Sequence, residues 1–131
     1  MQVRDAASGR VLFATDQTEA LRGLVAGPDG TLYAWQASGL VVRLRHGAQG
    51  LRRIWSETPA VRGPGGELEV RVDPGGRRVA VFGRGRGARL AVLDAITGRV
   101  LGQTNAAPLD AAFDVGGRLY LLEPGELRVL R

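Results

Sequence analysis

The chain has no cysteine, which excludes disulfides, thiolate metal sites and a cysteine nucleophile together. A single histidine, His46, leaves no room for a His-rich metal cluster, so neither a metal nor a cofactor is expected. Lysine is absent too: all 18 basic residues are arginine. That excludes a phosphate loop ending in Gly-Lys-Ser or Gly-Lys-Thr. It also points to the codon bias of a GC-rich bacterial gene, since heat-adapted proteins tend to be rich in lysine. Aromatic residues make up only 5% of the chain, so a core has to be built of valine, leucine and alanine. No apolar run approaches the ~18 residues that span a bilayer, and no basic segment followed by an apolar stretch opens the chain. A cytoplasmic protein without membrane contact is the expectation.

Glycine is abundant. Twenty glycines and 6 prolines in 131 residues predict a chain that turns often, and the length suits one domain with its own core. The net charge of +5 is concentrated in the middle. Residues 43–66 hold five arginines against one acid, residues 67–99 hold seven against four, and each end is net −1. Such a middle attracts anionic partners.

Residues 67–101 read as one complete unit. Glu67-Leu68-Glu69-Val70-Arg71-Val72 alternates, Asp73-Pro74-Gly75-Gly76 turns, and Arg78-Val79-Ala80-Val81-Phe82 runs on as an apolar strand. Gly83-Arg84-Gly85-Arg86-Gly87 turns again before Arg89-Leu90-Ala91-Val92-Leu93, and Asp94-Ala95-Ile96-Thr97-Gly98 leads into a fourth strand from Arg99. Four strands joined by tight turns predict an antiparallel meander. The unit recurs. Gly30, Gly76 and Gly117 stand at one place in three such turns, 46 and 41 residues apart, where a hairpin turn often needs a positive φ. Asp5, Ala6, Gly9, Arg10, Val11 and Leu12 recur 89 positions later as Asp94, Ala95, Gly98, Arg99, Val100 and Leu101. No helical periodicity is found, because the apolar positions repeat with period two.

A period of about 44 residues with four strands each is the mark of propeller blades. The chain resembles the WD40-like and NHL-like β-propeller superfamily through Gly27-Pro28-Asp29-Gly30-Thr31-Leu32-Tyr33, Asp73-Pro74-Gly75-Gly76-Arg77 and Leu90-Ala91-Val92-Leu93-Asp94. Leu93-Asp94 and Arg4-Asp5 take the place of the family's Trp-Asp pair without the tryptophan, and no Gly-His precedes a blade. The fold expected is all-β, with antiparallel four-stranded meanders forming about three propeller-like blades. One repeat domain spans 1–131: a partial blade over 1–20, blades over 21–58 and 67–106, and a partial blade over 108–131. Counting gives three inner, three second, four third and three fourth strands, so the ends are open edges that invite pairing. A single-chain barrel or sandwich, with the N-terminal hairpin closed onto the C-terminal strands, is the alternative.

For function, the sequence predicts a non-catalytic binding or scaffold module that engages a protein partner. It either assembles with itself through open edges as a homo-oligomer or belongs to a larger propeller. Anion or nucleic-acid binding through residues 43–99 is the alternative. The contact surface is expected at Arg84, Arg86, Arg62 and Trp55: Gly83–Gly87 resembles arginine-glycine segments that grip phosphate, and a tryptophan followed by polar residues can anchor a partner. Trp55 and Trp35 can equally fill space between blades. Asp94 and Asp5 sit where an aspartate bonds turn amides. Asp29, Asp73 and Asp114 recur beside the first turn of each unit, and His46 reads as a surface histidine. No recurring constellation of acids, histidine or metal ligands suggests an enzyme.

Overall fold

The computed structural model describes residues 2–4, 7–8, 11–14, 21–28, 30–48, 50–61 and 67–130. These form thirteen strands in four antiparallel sheets, with no helix among the described residues. The N-terminal hairpin is β1 (Gln2–Arg4) with β2 (Val11–Ala14). The first full sheet runs β3 (Leu21–Ala26), β4 (Thr31–Gln36), β5 (Val41–Gly47), β6 (Gly50–Glu57). The second runs β7 (Leu68–Val72), β8 (Arg78–Gly83), β9 (Leu90–Asp94), β10 (Val100–Thr104). The third has β11 (Asp110–Phe113), β12 (Leu119–Glu123) and β13 (Glu126–Leu130). First strands β3, β7 and β11 lie side by side, and the outer strand β2 lies against the outer strand β6. Meanders stacked about a row of inner strands are propeller blades, as the sequence predicts. The barrel alternative fails, because β1–β2 packs toward β6 and pairs with none of the C-terminal strands.

The repeat extends to register. In β1–β2, Arg4 pairs with Val11, then Val3 with Phe13 and Gln2 with Ala14 across a bulge. In β9–β10, Leu93 pairs with Val100, then Val92 with Gly102 and Ala91 with Gln103 across a bulge in the same place. Every pair is related by the 89-residue shift. The hairpin β1–β2 is therefore a third-and-fourth-strand pair, while β13 is a third strand by its place after β12.

Local turn chemistry sets these boundaries. Gly30, Gly76 and Gly117 have φ of 73, 72 and 83°, a region that costs glycine nothing and other residues about 1 kcal/mol or more. Asp73 and Asp114 each accept the N–H two residues on, Gly75 and Gly116, at 2.9 Å. In the first sheet the equivalent position is Gly27, whose N–H bonds the Thr31 carbonyl as that of Asp114 bonds Arg118. Asp29, read as recurring beside this turn, lies like Asp5 outside the described residues. An aspartate cannot stand at Gly27, since an added Cβ would meet Thr31 Oγ1 at 2.5 Å and the Tyr33 ring at 2.8 Å. Asp94 accepts the N–H groups of Ile96 and Thr97 at 2.8 and 3.0 Å, the backbone-capping role expected of it.

The core lies between sheets. Tyr33, Trp35 and Val41 of the first sheet meet Val70, Val79, Val81, Ala91 and Leu93 of the second. Ala80, Phe82 and Leu90 of the second meet Ala111, Leu119 and Leu121 of the third. Both faces of β8 are thus buried, Val79 through Phe82 all being inaccessible to solvent. In a sheet covered on both sides alternation separates two seams, and Arg43 and Arg71 lie in seams. Arg43 Nη1 and Trp55 Nε1 both donate to the Ala95 carbonyl, at 2.6 and 2.9 Å, clamping the first sheet to the β9–β10 turn of the second. Val61, in the connection between β6 and β7, is fully buried in that same seam.

Gly98 gives this clamp its tightest point. Its φ is +79°, and an added Cβ would lie 2.7 Å from the Trp55 ring. Gly98→Ala is expected to destabilise the protein by about 2 kcal/mol through strain and overpacking. Gly102→Ala, with nothing within 4 Å of its added carbon, stays within ~0.5 kcal/mol. Urea titration of the two variants beside the parent checks both.

Candidate functional site

The β7 and β11 inner strands start at the end of the sheets where the β8–β9 loop also turns, and charged side chains gather there. Arg71 donates from Nη1 to Glu69 Oε2 at 3.2 Å and from Nη2 to Asp110 Oδ1 at 2.9 Å. Arg84 lies 3.6 Å from Glu69 Oε1 through Nε and donates from Nη1 to the Leu109 carbonyl at 2.8 Å. Both guanidinium groups stack on Phe82, 5.5 and 5.8 Å from its centroid. Two cations and two carboxylates are thus gathered around one buried ring at the junction of the second and third sheets. Beside them, on the side of the first sheet, a cleft of about 460 Å³ is lined by Arg22, Trp35, Gln36, Glu67 and Glu69. Glu69 belongs to both.

Asp110 is held below the usual carboxylate range, first by the Ala111 N–H and then by Arg71, with burial opposing. It is an acceptor kept ionised, a state suited to holding a cation or donor. The loop between β8 and β9 is a fixed turn: Gly85 and Gly87 have φ of 90 and 77°, Ala88 is buried, and the Arg84 N–H bonds the Glu67 carbonyl at 3.0 Å.

Of the residues expected to form a contact surface, Arg84 stands in this network, and Arg86 is exposed at the loop tip two residues on. Trp55 is not near them. It packs into the seam at the opposite end of the sheets, against Tyr33 with centroids 6.0 Å apart and against Gly98. Arg62 lies outside the described residues. His46 is exposed on β5. Sequence reasoning missed Glu69, Arg71 and Asp110 as a group. The available signal was that Glu69 and Asp110 stand 41 residues apart at one repeat position, with Gly23 at the same place in β3. Gly23 is required there because the Trp35 ring lies where its Cβ would be, at 2.0 Å.

Comparison with known proteins places the fold. The periplasmic gluconolactonase of Pseudomonas aeruginosa matches over 96% of this chain and 42% of its own, with TM-score 0.62 and 22% identity. The RRP9 WD40 repeats match over 86% and 34%, with TM-score 0.61 and 16% identity. A Bacteroides fragilis protein assigned as a 6-phosphogluconolactonase matches over 89% and 36%, with TM-score 0.61 and 17% identity. No family model and no curated protein matches the sequence. The chain has the β-propeller fold and spans between a third and a half of the length of these neighbours. They correct the expectation that the chain is not an enzyme: two of the three carry lactonase names, so the scaffold it shares is one on which catalysis occurs.

The network sets an acid sensitivity. Because the folded Asp110 value lies below the unfolded ~3.9, its contribution to stability is present above about pH 4 and lost as pH falls through the folded value. Asp94 and Asp114, lowered by the Thr97 and Arg118 N–H groups respectively, act in the same direction. The melting temperature is expected to fall steadily below about pH 4. Asp110→Asn is expected to melt lower than the parent at neutral pH and to lose less on acidification, which thermal melts across the range check.

Proposed function

We propose that this chain is a propeller-type binding module whose uncovered blade faces engage protein, completing a ring of blades. One observation carries the reading. By register, Tyr120, Leu122, Leu127 and Val129 of the third sheet correspond to Ala80, Phe82, Leu90 and Val92 of the second. Phe82 and Leu90 are 0 and 1% exposed under the third sheet, whereas Leu122, Leu127 and Val129 are 46, 66 and 39% exposed. The third sheet presents outward the residues that the second buries under its neighbour. Burying such a side chain fully contributes about 1.5–3 kcal/mol, and a patch of adjacent leucine and valine marks an interaction site.

The anion-binding alternative loses Arg43, Arg71 and Arg84, which are committed to Ala95, to Glu69 and Asp110, and to Leu109, while Arg86 is exposed at the loop tip and Arg45, Arg52, Arg53, Arg77, Arg89 and Arg99 are exposed elsewhere in that stretch. A loop carried on a rigid scaffold is where a partner is held, and Arg86 is the residue best placed there.

Light scattering on a size-exclusion column is expected to give a mass above that of one chain, independent of salt because the patch is apolar. Leu122→Asp is expected to shift it to one chain with the far-UV spectrum retained. A parent that stays one chain at all concentrations, and captures no protein through this face, sinks the proposal.

A further inference from the structure

The other end of the chain is uncovered as well, and in a complementary way. Arg22, Leu24 and Ala26 of β3 correspond, at a shift of 46, to Leu68, Val70 and Val72 of β7. Val70 is fully buried against the first sheet, while Leu24 is 62% exposed. Among the described residues, only β2 covers that side of the first sheet, and it does so at the outer strand β6. On that side Ala34, Val42 and Leu44 of β4 and β5 are 1, 7 and 4% exposed, so among the described residues the first sheet is left open there at β3 alone. The third sheet has the converse: inner strands β11 and β12 with β13, and among the described residues no fourth strand. Where that strand would lie there is a groove of about 350 Å³ between β10 and β13, walled by Leu90, Val92, Leu101, Phe113, Leu119 and Leu130.

We infer that the partner covering the open face is a second copy of this chain, docked head to tail. The inference rests on the reading above that the face is covered by protein. In this arrangement the β3 side of one copy lies on the Tyr120, Leu122, Leu127 and Val129 face of the other, repeating the seam between the second and third sheets. The β1–β2 hairpin, a third-and-fourth-strand pair by register, supplies β2, with the apolar sequence Val11-Leu12-Phe13-Ala14, to the free edge of the other copy's β13. Only one strand can take the third position. β13 is held to β12 by five register pairs and β1 to β2 by three, so β13 keeps the place and β1 yields. The contact is heterologous, and it closes if the rotation per copy completes a circle. The neighbouring propellers are two to three times as long as this chain, so a small number of copies supplies a ring's worth of blades. A different protein would have to reproduce both the β3 side and a fourth strand, whereas a second copy already carries them.

The test uses the absence of native cysteine. Leu24→Cys and Leu122→Cys are made in separate full-length chains, and each is oxidised alone and as an equal mixture, with light scattering in parallel. The repeat positions of Leu24 and Leu122 correspond to Ala111 and Phe82, which share one cluster. The mixture is expected to form a covalent pair containing one chain of each kind, at least tenfold above either variant alone. A pair formed by Leu122→Cys alone means that the face meets itself, which overturns the head-to-tail arrangement and leaves the covered-face reading standing. An associated parent whose mixture forms no pair overturns the head-to-tail arrangement as well. A parent of one chain at every concentration overturns the second-copy inference, and the covered-face reading falls with it only when no other protein is captured through this face.

Discussion

A sheet buried on both faces needs a neighbour on each side, and that requirement governs this chain from its composition to its ends. With few aromatic residues and no disulfide, no single sheet here can bury enough surface alone. Val79, Ala80, Val81 and Phe82 of one strand are all inaccessible, two directed to each seam. Stability in such an array is close to a sum over neighbouring contacts. Among the described residues the outward side of the third sheet and the β3 strand of the first are without that cover, and Leu24, Leu122 and Leu127 are exposed there.

Apolar packing alone is poor at fixing one blade relative to the next, since apolar contact is non-directional. Polar contacts supply the direction. At one end Ala95, a carbonyl in a turn, accepts from Trp55 and Arg43 of the adjacent sheet. At the other, Arg71 reaches Asp110 across to the third sheet while bonding Glu69 in its own. The Ala95 clamp depends on a glycine, Gly98, which leaves room for the Trp55 ring, and Gly23 leaves room for Trp35 within the first sheet. The glycine content is therefore partly a packing requirement, beyond the turns.

What was legible in the sequence was local. The strand order, the positive-φ glycines at Gly30, Gly76 and Gly117, and the 89-residue echo were readable because turn chemistry and alternation act over a few residues. The count of three, three, four and three strands by position survives in the structure. The seams were not legible. Alternation reports that a strand has two unlike faces, without saying whether the second meets water or another sheet, so nothing in it marks Arg43 and Arg71 as seam residues. Val61 stood alone among prolines and glycines with no period to mark it as core. Arg84 and Trp55 were read as one surface because nothing local records at which end of a sheet a loop emerges. The expectation on catalysis rested on the want of a recurring constellation of acids and histidine, which does not follow from the fold, since two neighbours of the same fold carry lactonase names.

The absence of lysine has a structural consequence whatever its genetic origin. Around Phe82 two cations approach one ring, and each also reaches partners in different directions: Arg71 to Glu69 and Asp110, Arg84 to Glu69 and Leu109. A guanidinium does this because it is flat, stacks on an aromatic face and presents donors around its edge, whereas an ammonium is a compact, strongly hydrated charge. Seating a lysine at position 71 would require its one nitrogen to leave the ring, Glu69 or Asp110. The same property lets Arg43 lie over Tyr33 while donating to Ala95. In a fold whose seams are otherwise directionless, the planar side chain carries the orientation, and the all-arginine composition makes every basic position on a strand able to serve that role.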